Sequence, residues 1–299
     1  MTTASQWLTR TSLWQVRRPI LAAATTLGII LALVLTPDTG RVQAAGFFSS
    51  LRSPGEAAFI AGHRGDKGGA PENTLPAFQL AIESAADFVE TDVQLTSDGI
   101  PILMHDWLLD RTTNGTGPVW ERTAEDIAAL DAGSWFSSDF AGTRVPTLEQ
   151  FLDLVWDSPK RAILELKGSW NQDQVGIVAQ QVRSAGMQDR VLLASFDLMT
   201  LQALAQVAPG IPRVIIAREV VGDPAILAGA CDAVAIVTSR RFLESHPDAV
   251  SLIHNAGLGV LVYTVNNEDG WSEAISLGVD GIITDTPSDL QRWLDAPSL

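Results

Sequence analysis

From about residue 57 onward, short β-branched runs alternate with amphipathic helical patterns, and this alternation leaves few folds open to the chain. The candidate strands are Ala58–Gly62, Phe88–Leu95, Arg161–Leu166, Arg190–Ser195, Pro212–Ala217, Asp232–Val237, Leu258–Val265 and Asp280–Thr284. Helical patterns lie between them, among them Leu75–Ala85, Asp173–Ala185, Leu198–Val207, Arg241–Asn255 and Asn267–Leu277. A strand followed each time by a helix returns to its sheet in the same direction, so the sheet is parallel with helical crossovers. Eight such units in about 240 residues match the size of a TIM (β/α)8 barrel. A doubly wound open sheet gives the same alternation and is the second expectation.

One segment breaks the rhythm. After the second strand, Ser97-Asp98-Gly99-Ile100 reads as a tight turn and leads into a short extended run, Pro101–His105. The chain from about residue 106 to 145 then forms an insertion with its own small helix, Thr123–Leu130. An insertion after a barrel strand sits at the C-terminal face, where barrel active sites lie.

The N-terminus differs in kind. Arg10, Arg17 and Arg18 precede an apolar run from Ile20 to Leu35, and Val42-Gln43-Ala44-Ala45 follows after a polar turn. A positive region, an apolar region and a small-residue cleavage pattern read as an export signal, cut after Ala44 or Ala45. The run is also near the roughly 17-residue lower limit of a spanning helix, so an uncleaved membrane anchor is the competing expectation. Either way residues 1–45 form a signal or anchor helix ahead of a barrel domain at 57–299. The arginines stay cytoplasmic and the barrel lies outside the cytoplasm, periplasmic, extracellular or anchored. Membrane association would run through residues 20–35; oligomeric state is not legible.

Net charge is −15, so nucleic acid and anionic headgroups are disfavoured partners over most of the surface. An anion site would need a local basic pocket or a cation. The single cysteine, Cys231, lies on an apolar segment with no flanking histidine and reads as structural. His246 and His254 fall on a helical pattern and read as surface or helix-terminal residues.

The stretch from His63 to Thr113 is crowded with ionisable groups that a core would avoid. Glu90 and Asp92 sit inside an apolar strand pattern, spaced by two and therefore on one face. Buried carboxylates are costly unless paired or bound to a metal. If Asp98-Gly99 forms a two-residue hairpin, paired residue numbers sum to 197 and His105 lies opposite Asp92, Cβ atoms within about 5.5 Å. A slip of one residue would undo that pairing.

Glu165 ends the third barrel strand, two residues before Lys167, and can reach the same mouth. Three carboxylates suit Ca2+ or Mg2+. His63 and Arg64 follow the first strand, with Gly62, Gly65, Gly68 and Gly69 around them. Arg64 offers a planar donor fork for phosphate, and Lys167 would also face the anion. Two imidazoles, a divalent cation and two basic side chains suit phosphodiester cleavage, one imidazole activating the attacking hydroxyl or water and the other protonating the leaving alkoxide. Trp107 and Trp135-Phe136 either line this pocket or pack the insertion.

With these motifs the chain resembles the glycerophosphodiester phosphodiesterase family. The resemblance rests on His63-Arg64-Gly65, Pro71-Glu72-Asn73-Thr74, Glu90-x-Asp92, Thr96-x-Asp98-Gly99, His105-Asp106, Arg111-Thr112-Thr113 and Gly115-x-Gly117. Leu130-Asp131-Ala132-Gly133, Pro146-Thr147-Leu148-Glu149, Glu165-Leu166-Lys167 and Gly278-Val279-Asp280-Gly281 extend it over about residues 58–291. It implies a metal-dependent TIM barrel releasing glycerol 3-phosphate and an alcohol from small glycerophosphodiesters. It also implies His63 as proton acceptor and His105 as proton donor, Glu90, Asp92 and Glu165 on the metal, and Arg64 and Lys167 on phosphate. Tyr263-Thr264-Val265-Asn266 departs from the family's frequent Trp before Thr-x-Asn, which bears on the alcohol pocket. Asp66-Lys67 replace small residues and bear on its rim. Two alternatives stay open: a lysophospholipase D on the same barrel, which needs an apolar groove for an acyl chain, and a catalytically silent binder of phosphate ligands.

Overall fold

The computed structural model describes residues 47, 48 and 50–296. Strand β1 (Phe59–Gly62) pairs in parallel with β2 (Phe88–Leu95), which carries a short antiparallel strand, β3 (Pro101–Leu103), on the same flank. The sheet continues in parallel through β4 (Arg161–Leu166), β5 (Val191–Ser195), β6 (Arg213–Ala217), β7 (Ala233–Ser239), β8 (Gly259–Tyr263) and β9 (Gly281–Thr284). Because β9 also pairs with β1, the eight parallel strands close into a barrel and the open-sheet alternative falls away.

The strands read as near-continuous apolar runs because both faces are covered. Along β4, Ala162, Leu164 and Leu166 point outward into the helix-facing core, while Ile163 points into the barrel with Ala61, Leu192, Ala194, Val214 and Leu261. The surrounding helices are α1 (Leu75–Glu83), α2 (Ala124–Ala128), α3 (Leu148–Trp156), α4 (Gln172–Ser184), α5 (Leu198–Val207), α6 (Pro224–Gly229), α7 (Arg240–Ser245), α8 (Ala249–Asn255), α9 (Glu268–Leu277) and α10 (Pro287–Asp295). The Pro146-Thr147-Leu148-Glu149 motif is the start of α3. Thr147 accepts the amide of Gln150 and donates its own amide to the Gln150 side chain, a reciprocal cap of about 1 kcal/mol. That cap seats Phe151 edge-on against Phe78 of α1, ring centres 4.7 Å apart.

The expected single helix over Arg241–Asn255 is two, α7 and α8. Pro247 follows the last turn of α7, lacks an amide to continue it, and keeps His246 out of the helical region, at φ −137° and ψ 70°.

The hairpin register also differs from expectation. Val93 pairs with Leu103 and Gln94 with Ile102, so paired numbers sum to 196 and the backbone opposite Asp92 is Met104, not His105. The turn is one residue longer than assumed. The Thr96 hydroxyl accepts the amide of Ile100 at 2.9 Å, and Gly99 takes a φ of +78°, which closes a three-residue loop, Ser97-Asp98-Gly99. β3 then ends at Leu103, and His105 reaches the barrel mouth from the segment beyond it, held by the Gln94 amide, which donates to the carbonyls of Met104 and Asp106.

The insertion has its own small core of Ile102, Met104, Leu109, Val119, Ile127 and Val145. Its Leu130-Asp131-Ala132-Gly133 motif is a loop organiser: the Asp131 carboxylate accepts from the amides of Gly133, Ser134 and Gly142 and the hydroxyl of Ser134. Trp135, Phe136 and Phe140 pack edge to face within it.

The other end of the barrel is closed by residues ahead of the expected domain boundary. Phe47 stacks on Phe88 and Phe48 lies against Phe59, the first residues of β2 and β1, with the Arg161 guanidinium 4.3 Å from the Phe88 ring centre. Arg161 also donates to the carbonyl of Phe47 at 2.7 Å. The expected export or anchor segment, with its cleavage point, lies outside the described residues, among which no helix is long and apolar enough to cross a membrane.

Candidate active site

The C-terminal strand ends build the site. Asp92 on β2 is the direct lateral neighbour of Glu165 on β4, and Glu90 shares the face of Asp92 two residues earlier. One oxygen from each of the three carboxylates can be chosen so that all lie within 4.8 Å of one another. The cluster does not depend on the hairpin register, because parallel pairing of β2 with β4 creates it.

All three acids are buried. Burial, with Asp92 and Glu165 beside it, pushes the Glu90 carboxyl well above its usual range. Burial and Asp92 push Glu165 up to about 7. Asp92 is held below its usual range despite burial, because Arg64, Lys167 and His105 surround it and Asn73 donates to it at 2.9 Å. The negative charge of the cluster is thus only partly compensated.

The two basic residues expected on phosphate both sit on this cluster. Lys167 Nζ is 2.6 Å from Glu165 and 3.4 Å from Asp92. The Arg64 backbone amide donates to Glu90 at 2.8 Å, its Nη1 donates to Glu72 at 2.7 Å, and its Nε lies 3.2 Å from Asp92 without hydrogen-bond alignment.

The two imidazoles flank the acids, and each is oriented by a carboxylate. His63 Nδ1 is 2.6 Å from Asp285, which also takes Lys67 at 3.2 Å and the Asn266 amide at 2.9 Å. His105 Nδ1 is 2.7 Å from Asp106. Since an ionised carboxylate only accepts, Nδ1 carries the proton in both rings and Nε2 is left for substrate. Burial dominates both rings and holds their pKa values below the ordinary histidine value.

A chain of charges ties the insertion to the barrel. Asp106 is bound by Arg111, Arg111 grips both oxygens of Glu72, and Glu72 binds Arg64. The barrel mouth holds a cavity of about 700 Å3. His63, Arg64, Glu90, His105, Glu165 and Lys167 line its polar side, and Trp107, Phe196, Ile216 and Tyr263 its apolar side.

A profile of the glycerophosphoryl diester phosphodiesterase family matches residues 63–289. The chain belongs to that family. It is 33% identical over 240 residues to the glycerophosphodiester phosphodiesterase of Caldanaerobacter subterraneus subsp. tengcongensis, covering 77% of this chain and 95% of that one. Among solved structures, the Agrobacterium tumefaciens C58 glycerophosphodiester phosphodiesterase superposes with a TM-score of 0.71 at 32% identity, over 79% of this chain and 100% of the other. An Oleispira antarctica phosphodiesterase, solved with the product sn-glycerol-3-phosphate, gives 0.76 at 29% identity, over 80% and 97%.

Within this phosphodiesterase the structure brings His63, Arg64, Glu90, His105, Glu165 and Lys167 into one cavity, with Asp92 behind them against Arg64, Lys167 and Glu165. Sequence reasoning passed over Asp285. The signal was available, since Asp285 directly follows β9 and Gly62 pairs with Thr284, which sets the next residues, His63 and Asp285, side by side. Trp107 lines the cavity, whereas Trp135 belongs to the insertion's packing. Cys231 is buried and its thiol is pushed up to about 12 by burial, in keeping with a structural residue. His246 caps the end of α7, and His254, in the last turn of α8, bonds to Asp280 at 2.9 Å.

Proposed function

We propose that this enzyme hydrolyses glycerophosphodiesters to glycerol 3-phosphate and an alcohol by acid–base catalysis between His63 and His105, at a divalent cation held by Glu90, Asp92 and Glu165. The observation that carries the reading is the convergence of three buried carboxylates between two carboxylate-oriented imidazoles in one cavity. The donor set fits a hard cation. It offers oxygen ligands only, close together, with negative charge that Arg64 and Lys167 do not fully offset. When bound, Ca2+ or Mg2+ would supply Lewis-acid stabilisation of charge on the phosphoryl oxygens.

The chain's own residues do the rest. Arg64 and Lys167, on the cavity side of the acids, orient the non-bridging oxygens, and the unaligned Nε–H of Arg64 is a donor without an acceptor. His63, with Nδ1 fixed by Asp285, accepts the proton of the attacking hydroxyl or water at Nε2. His105, with Nδ1 fixed by Asp106, delivers a proton to the leaving alkoxide. The positive leader, apolar run and Ala-rich cleavage pattern support action outside the cytoplasm, as an exported or anchored protein.

The deciding experiment follows glycerol 3-phosphate released by the purified protein from several glycerophosphodiesters, with and without chelator. Release that chelation stops and Ca2+ or Mg2+ restores is the expected result. Release that survives exhaustive chelation would remove the cation from the reading.

A further inference from the structure

Strand β6 lies four strands from β1 in either direction around the eight-stranded barrel, so the residue that follows β6 faces His63 across the mouth. That residue is Arg218, an exposed side chain that lines the catalytic cavity. Ala217 pairs with Thr238 and Ser239 with Tyr263, so Arg218, Ser239 and Tyr263 form one layer across the ends of β6, β7 and β8. The Ser239 hydroxyl donates to the Arg218 carbonyl at 2.7 Å and fixes the backbone there. Arg64 and Lys167 lie on carboxylates, whereas Arg218 has no ion pair among the described residues, and Glu219 beside it does not line the cavity. Tyr263 stands edge to face with Phe196, ring centres 6.2 Å apart, and its hydroxyl is buried without an aligned hydrogen-bond partner although Arg218 lies close by. A guanidinium only donates, so the phenol's own proton has no acceptor whatever Arg218 does. Burial raises the Tyr263 pKa and keeps the group a neutral donor, and the charges that bear on it are Arg218, Glu165 and Lys167.

Two donors without acceptors on one wall call for a ligand rich in oxygen. In phosphoryl transfer the attacking and leaving oxygens lie roughly in line. A nucleophile activated by His63 therefore sends the leaving alcohol away from His63, toward the part of the mouth that Arg218 borders. The rings of Phe196 and Tyr263 alone would suit a quaternary ammonium. An uncompensated guanidinium on the same wall repels one. We propose that Arg218 and Tyr263 select the leaving alcohol, favouring uncharged, hydroxyl-rich headgroups such as glycerol or inositol over cationic ones such as choline. Each headgroup hydroxyl can accept from the guanidinium or the phenol, and an ammonium carrying three methyl groups can do neither. The inference rests on the phosphodiesterase reading above and names the class of alcohol that the site prefers.

The test follows glycerol 3-phosphate released by the full-length protein, with Ca2+ or Mg2+ present, from glycerophosphoinositol, glycerophosphoglycerol and glycerophosphocholine. The kcat/KM for the two polyol diesters is expected to exceed that for the choline diester about tenfold or more. Arg218→Gln is expected to lower kcat/KM for the polyol diesters about tenfold, the effect of one lost hydrogen bond to a charged group, and to raise it for the choline diester by relieving repulsion. Tyr263→Phe keeps the ring against Phe196 and is expected to lower the polyol-to-choline ratio about fivefold, chiefly through KM. A parent enzyme that shows no preference or prefers the choline diester would overturn the selection while the phosphodiesterase reading stands. Either variant keeping the parent's headgroup ratio would do the same, since an equal effect on all three diesters belongs to the glycerophosphate they share. Failure to turn over any of these diesters or other glycerophosphodiesters would overturn both.

Discussion

His63 donates from Nδ1 to Asp285 across 2.6 Å, joining the residue after the first barrel strand to the residue after the last. Burial lowers the His63 pKa, and the Asp285 hydrogen bond is the largest influence raising it. A histidine that accepts a proton must start neutral, so activity rises as pH climbs through its pKa. Asp285→Asn removes the partner that favours the imidazolium, so the acidic limb of the kcat/KM profile should move to lower pH. The orientation is weakened too, and kcat should fall about tenfold or more, a part of the 10²–10⁴ that general-base catalysis contributes. An unchanged limb and rate would show that Asp285 does not position His63.

His105→Ala should lower kcat by about 10² or more with glycerophosphodiesters. The loss should shrink for a substrate whose leaving alcohol is activated, such as a nitrophenol, because a good leaving group needs no proton. An equal loss on both substrates would reject His105 as the donor.

Glu90→Gln keeps the shape of the acidic cluster and removes one charge. The Ca2+ or Mg2+ concentration giving half-maximal activity should rise about tenfold or more, with activity recovering at high cation. A titration that matches the parent would exclude Glu90 as a ligand.

Glu72 joins Arg64 and Arg111, and its side chain is largely buried. Glu72→Ala strands the buried Arg64 without one carboxylate, while Arg111 can turn to solvent. The expected loss in urea denaturation is about 3 kcal/mol, at the low end for breaking a buried pair. A loss below about 1 kcal/mol would mean that the strut between insertion and barrel carries little of the stability.

Asp280 serves as a control at the opposite end of the barrel. Fully buried, it accepts from the amides of Arg52 and Val260, each at 2.7 Å, and from His254. Asp280→Ala should cost about 2–4 kcal/mol by leaving these donors unpaired, with kcat and KM unchanged at temperatures where the protein stays folded. A selective loss of kcat would point to coupling between floor and mouth.

The barrel was legible because parallel strands buried on both faces announce themselves as β-branched runs, and all eight fall within a residue or two of where those runs predict. The acidic cluster was legible for the same reason: a carboxylate inside such a run, as with Glu90, Asp92 and Glu165, stands out against its neighbours. The hairpin register was not, since one hydroxyl on Thr96 and one positive φ at Gly99 decide it, and neither leaves a periodic trace. Asp285 escaped as an orienting carboxylate because its partner His63 lies at the other end of the barrel sequence, in a contact that only closure of the barrel creates, and Glu72 escaped as a strut because Arg111 reaches it from the insertion, whose path no periodic pattern announces. Phe47 and Phe48 escaped because two residues amid a polar stretch carry no periodicity.

Those two phenylalanines have a practical consequence. The chain enters the barrel through its floor, so whatever is joined upstream of them is attached at the end remote from the acidic cluster. A support, label or fusion partner coupled directly ahead of Phe47 would be attached at the floor and leave the mouth free to meet substrate in solution.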